Sequence, residues 1–112
     1  MTPEQNALVL KGMWGVVNNG GTAGSIKMAN WEIAGKTGTA QVAELGKDSG
    51  KNKDHAWFDS FAPAHKPEIA VLVLIENSGF GSANAAPAAK AMYQAYLEKR
   101  PAGLNGQEVA LK

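Results

Sequence analysis

The ten residues EIAGKTGTAQ, Glu32 to Gln41, decide how the chain is read. Two glycines and two threonines surround a single lysine. The run Thr37-Gly38-Thr39 resists helix formation, because β-branched residues and glycine both lose more freedom in a helix than alanine does. The spacing predicts a strand over Trp31 to Val42. Gly35-Lys36-Thr37 also matches the end of a phosphate-binding loop, G-x-x-x-x-G-K-[ST]. The opening glycine of that motif falls on Asn30, and a helix should follow directly, so a phosphate cradle is rejected. From the residues alone, two readings stay open. One is a strand with glycines for close packing and a solvated lysine. The other is the edge of a substrate cleft.

Upstream, Thr2-Pro3-Glu4-Gln5 carries a capping box with proline at the first helical position. Val9, Leu10, Met13, Val16 and Val17 then recur at helical spacing as one apolar stripe, and Asn18-Asn19-Gly20-Gly21 ends the helix. GTAGS, ending at Ser25, links it to the strand. Downstream, the polar stretch Leu45 to Asp54 predicts a solvated loop. His55 to Ala62 predicts a second strand, with Ala56, Phe58 and Ser60 on one side. Pro63 to Pro67 is a turn. Glu68 to Glu76 contains IAVLVLI, whose unbroken apolar character predicts a strand buried on both faces. Asn77 to Gly81 is a turn, and Asn84 is expected to cap a helix to about Arg100 with Pro87 in its first turn. Its expected apolar face is Ala85, Ala88, Ala89, Met92 and Tyr96. The fold class is α+β: a three-stranded antiparallel sheet, both helices packed on it. Residues 1–100 form the structured part, and 101–112 are expected to be a flexible tail.

The chain has 112 residues and a net charge of +1, with no cysteine. The near-balanced charge gives no electrostatic footprint for nucleic acid or an anionic membrane. Disulfides and thiolate metal sites are excluded. No apolar run approaches the roughly 20 residues of a membrane span. MTPEQNALVL lacks the basic and apolar regions of a signal peptide, so no targeting signal is expected in it. No other histidine and no carboxylate cluster sits at ligand spacing from His55, which is expected to be a structural residue at a strand start; His65 lies in a turn and is expected to be solvated.

A resemblance now separates the two readings of the opening stretch. AGKTGTAQ, Ala34 to Gln41, is similar to the K-T-G motif of penicillin-binding proteins in its fuller form from peptidoglycan transpeptidases. HAWF at His55, FAP at Phe61, IAVLVLIENSGFGS and AAPAAKAMYQAYL resemble the remainder of the same domain. The likeness covers about residues 3–98. It points to the C-terminal part of a class B transpeptidase domain, of the penicillin-binding protein 2 group, and so to a partial serine β-lactamase-like fold. That family attacks D-Ala-D-Ala peptides or β-lactams with a serine, through an acyl-enzyme. The resemblance implies that Lys36 places positive charge near the substrate carboxylate. It gives Thr37 and Thr39 the role of offering hydroxyls to that carboxylate. Gly38 lets the peptide lie against the strand, and the Thr39 N–H is one oxyanion donor. No metal or organic cofactor is implied.

The nucleophile motif S-x-x-K is absent from these residues. Ser25, Ser49, Ser60, Ser78 and Ser82 are followed three places on by Met28, Asn52, Pro63, Gly81 and Ala85. Ser82-Ala83-Asn84 matches S-x-N in letters, but it follows K-T-G where the family has it before. The chain is therefore expected to be inactive alone, with the remainder of a transpeptidase domain as its partner. The parent protein would be anchored in the inner membrane with this domain in the periplasm. Strands that would flank Ile69–Ile75 are not in this sequence, so a dimer or strand swap through that edge is expected. Two alternatives are a serine β-lactamase fragment and a stand-alone, non-catalytic peptide-binding module.

Overall fold

The computed structural model describes residues 1–41 and 53–99. Within them the order is α1 (Pro3–Asn18), a short 3-10 turn (Gly24–Ile26), β1 (Ala34–Ala40), β2 (His55–Ala62), β3 (Ile69–Ile75) and α2 (Gly81–Glu98). The sheet is antiparallel in the order β1-β2-β3. The α+β expectation therefore holds. Most of the expected loop before Asp54, and the expected tail at 101–112, lie outside the described residues.

The capping box at the start of α1 is complete. The Gln5 N–H donates to Thr2 Oγ1 at 3.1 Å, and the Thr2 N–H donates to Gln5 Oε1 at 2.8 Å. At the other end, Asn18 Nδ2 donates to Trp14 O at 3.0 Å and to Ile33 O at 2.8 Å, tying the last turn of α1 to the approach to β1.

One face of the sheet carries Ala56, Phe58, Ser60, Ala62 and Val71, all buried. Ala85, Ala86, Ala89 and Tyr93 of α2 pack against it, with Val17, Ile26, Trp31 and Ile33 completing the core. Small residues on α2 let the helix approach closely. Two hydroxyls in this core, those of Ser60 and Tyr93, are hydrogen-bonded. Ser60 Oγ donates to Val71 O at 2.8 Å, which uses its one proton, so the Tyr93 hydroxyl donates to Ser60 Oγ at 2.7 Å.

Five expectations need correction. First, β1 starts at Ala34 instead of Trp31. Trp31 instead turns into the core, edge-on to Tyr93 and stacked on Tyr96. Second, β3 is buried on one face only: Leu72 is 62% and Leu74 45% exposed on the other. The reason is that α2 covers one face, while α1 packs on β1 and the 3-10 turn and does not reach β3. Third, Val9 and Leu10 of the α1 stripe are exposed, since the sheet lies beside only the second half of that helix. Fourth, α2 begins at Gly81, so Asn84 lies inside the helix and Pro87 is an interior residue with an exposed ring. Fifth, the buried face of α2 is rotated. Ala86 and Tyr93 are buried where Met92 was expected, and Met92 is exposed.

The early start of α2 follows from its contact with the sheet. A Cβ at position 81 would strike Trp57 O and come 2.7 Å from Gly38 O. Only glycine allows the helix to begin there. Gly81→Ala is expected to destabilise the fold by roughly 1–3 kcal/mol, as overpacking does. Gly12→Ala, whose new methyl meets no described neighbour beyond its own helix backbone within 4 Å, should instead stabilise α1 by up to about 1 kcal/mol. Thermal denaturation of the two variants checks this pair.

Burial raises the Tyr93 phenol above its ordinary pKa of 10.0, and the Ser60 bond only partly offsets that. A raised folded-state pKa means the stabilisation is complete below pH 10. It is lost as pH rises through the folded value. Denaturant unfolding should show the parent losing stability above pH 10 more steeply than Tyr93→Phe.

Candidate functional site

β1 is one of the two edge strands of the sheet. One edge pairs with β2 in the register Ala34↔Phe61 to Ala40↔His55, and no strand among the described residues occupies the other. An open edge leaves main-chain donors and acceptors available to an added extended peptide. Thr37 stands opposite Phe58 and Thr39 opposite Ala56, which places both hydroxyls on the helix-covered side. They are about 7 Å apart along the strand, two residues of rise. Lys36 and Gly38 point to the other side, opposite Asp59 and Trp57.

Lys36 is exposed. Its Nζ turns to Thr37 O at 2.7 Å instead of reaching across to Asp59. The Thr37 hydroxyl meets Thr22 Oγ1 at 2.8 Å. Thr22 comes from the linker after α1, and its part in the site was not legible in the sequence. A lysine and two threonine hydroxyls flanking one open edge can bind a carboxylate by charge and hydrogen bonds while the main chain holds a peptide.

The two glycines of the K-T-G region differ physically. A Cβ at Gly35 would lie 2.7 Å from Phe58 Cζ and 2.9 Å from Asp59 O, so internal packing requires glycine there. A Cβ at Gly38 would meet Trp57 Cβ at 3.4 Å, an ordinary contact. Among the described residues, packing does not explain Gly38.

A groove of about 270 Å³ opens at the far end of β1, between Thr39, Asp54 and the loop Ser78 to Phe80. That loop is firmly held. Asn77 has a positive φ of 52° and Gly79 one of 91°. The Asn77 N–H donates to His55 Nδ1 at 3.0 Å, and the Gly79 N–H donates to Asp54 O at 2.9 Å. Asn84 Nδ2 donates to Ser78 O at 2.6 Å. His55 thus has a structural place, its Nδ1 accepting the bond that ties the turn to the start of β2. Asn84 ties the loop to α2 instead of capping that helix. The cue in the sequence was Asn77-Ser78-Gly79, a turn whose left-handed positions suit asparagine and glycine.

Trp31 does not line this groove, because it precedes β1 and Thr39 lies near the strand's other end. His65 is exposed, as is Asp59. Among the described residues, no group of three or more His, Asp or Glu side chains is placed to hold a metal. No described helix is long and apolar enough to cross a membrane.

Gly35→Ala should lower stability by about 1–3 kcal/mol, whereas Gly38→Ala should change it by less than about 0.5 kcal/mol. Chemical denaturation of the two variants separates a packing glycine from one free for another role.

Comparison with known proteins agrees with the geometry. The model of the penicillin binding protein transpeptidase domain matches residues 1–94. The peptidoglycan D,D-transpeptidase MrdA of Haemophilus influenzae is 42% identical over 100 residues, spanning 80% of this chain and 15% of the relative. A crystal structure of Pseudomonas aeruginosa PBP2 in complex with WCK 5153 superposes with a TM-score of 0.74 at 39% identity, covering 97% of this chain and 22% of that one. Penicillin-binding protein A from Mycobacterium tuberculosis, as its imipenem acyl-enzyme, gives 0.64 at 35% identity, covering 87% and 20%. The chain thus spans about a fifth or less of the proteins it matches. On the fold, the K-T-G strand at the sheet edge and these likenesses together, it belongs to the penicillin-binding-protein transpeptidase family.

Proposed function

We propose that this chain is the K-T-G-bearing part of a peptidoglycan D,D-transpeptidase of the penicillin-binding protein 2 kind, which cross-links cell-wall peptides through a serine acyl-enzyme. The observation that carries this is the open outer edge of β1, with Lys36, Thr37 and Thr39 flanking it inside the family fold. In this reading, Lys36 supplies positive charge, and the hydroxyls of Thr37 and Thr39 bind the terminal carboxylate of a stem peptide or a β-lactam. Gly38 keeps the strand surface low beside the peptide. The Thr39 N–H donates to the oxyanion as the tetrahedral intermediate forms, at the position where negative charge develops. The nucleophilic serine, and the lysine that takes its proton, come from residues that carry S-x-x-K in the remainder of the domain.

The whole protein would work in the periplasm, anchored in the inner membrane. The outer edge of β3, Ile69–Ile75, would pair with strands from the rest of the domain. In the isolated chain the same edge would favour a dimer or strand swap. The lack of S-x-x-K in these residues favours one further reading: a module that holds peptide on β1 without turning it over.

Labelling with fluorescent benzylpenicillin tests the proposal. The 112-residue chain should not label, and the protein joining it to an S-x-x-K segment should. Lys36→Ala in that protein should slow acylation by about 100-fold or more, the range for a lost acid–base or electrostatic group. Labelling of the chain alone, or an unchanged rate in Lys36→Ala, would overturn it. Saturable D-Ala-D-Ala peptide binding without acylation in the joined protein would establish the binding module instead.

A further inference from the structure

Thr22 lies in the linker between α1 and the 3-10 turn, and its backbone there is held on both sides. The Gly21 N–H donates to Gly15 O at 3.2 Å, and the Ala23 N–H donates to Val16 O at 3.0 Å. A Cβ at Gly21 would strike the Val16 backbone, so the linker rests directly on the last turns of α1. Ala23 is wholly buried in the core. The Thr22 side chain, in contrast, is exposed. It caps neither α1 nor the 3-10 turn and takes no part in the buried cluster. Among the described residues its hydroxyl makes one hydrogen bond, to Thr37 Oγ1 at 2.8 Å. A fixed backbone thus aims an otherwise idle hydroxyl at a threonine of the K-T-G strand.

Counting protons gives this bond a direction. On the proposed function, which this inference rests on, the Thr37 hydroxyl binds the terminal carboxylate of the ligand. An ionised carboxylate only accepts, so Thr37 gives it its single hydroxyl proton. The proton between the two hydroxyls must then come from Thr22. We propose that Thr22 is a positioning residue, which donates to Thr37 Oγ1 and so leaves the Thr37 proton free for the carboxylate. A β-branched side chain has few rotamers, and one bond from a pinned neighbour selects among them. The same bond polarises the Thr37 hydroxyl, which strengthens its own donation to the charged group. Thr22 therefore acts on carboxylate binding without touching the ligand.

The test uses the joined, acylation-competent protein and the second-order rate constant for its acylation by benzylpenicillin. Thr22→Val keeps the branched shape and removes the hydroxyl. It should slow acylation by roughly tenfold, the scale of one hydrogen bond in a chain that ends on a charged group. Thr22→Ser, which keeps the hydroxyl, should stay within about threefold of the parent. In a Thr37→Val background, Thr22→Val should add no further loss, because its effect passes through Thr37. An unchanged rate in Thr22→Val, an equal loss in Thr22→Ser, or additive losses in the double variant would overturn the role of Thr22. Failure of the parent to react with benzylpenicillin would instead overturn the proposed function beneath it, so the two failures are distinct.

Discussion

The contact on which the site depends is the seating of Gly81 on the backbone of Trp57 and Gly38. Helix and sheet usually meet through side chains, which hold their backbones well apart. Here the first turn of α2 touches the main chain of two strands directly. That contact fixes where α2 begins, and so where the loop before it must pass. It also places the loop against the end of β1. The bonds from Asn84, His55 and Asp54 then hold the loop in that position.

The rest of α2 is secured by burial and one hydroxyl chain. Tyr93, Ser60 and the carbonyl of Val71 link helix, central strand and edge strand in the buried core. A buried phenol without a partner would cost roughly 1–3 kcal/mol, so the chain both secures and orients the helix. With α2 fixed at both its start and its middle, β1 has a rigid support on one side and an open edge on the other. A strand supported in this way keeps the groups along its edge at fixed positions.

The opposite surfaces are unfinished. Leu72 and Leu74 on the uncovered face of the sheet, and Leu8, Val9 and Leu10 on α1, present apolar area to solvent. Apolar patches of that kind mark surfaces made to be covered. The chain spans only 15% to 22% of the relatives described above.

Much of the architecture was legible in the chain because local rules were sufficient. The capping box gave the start of α1, and alternation gave the bounds and buried face of β2. The resemblance carried by AGKTGTAQ pointed to the family. What the sequence could not give was which face of an apolar segment finds a partner. IAVLVLI is equally apolar on both sides, and only the placement of α1 and α2 decides that one side stays open. The rotation of the α2 face, the inward turn of Trp31, the meeting of Thr22 with Thr37, and the groove between Thr39 and Phe80 are of the same kind. Each joins residues far apart in sequence, through contacts that no local period encodes. The sequence by itself determined the elements and the family, because capping, periodicity and motif are local properties. The tertiary structure alone decided the site's surroundings, because burial and contact arise only when the elements pack.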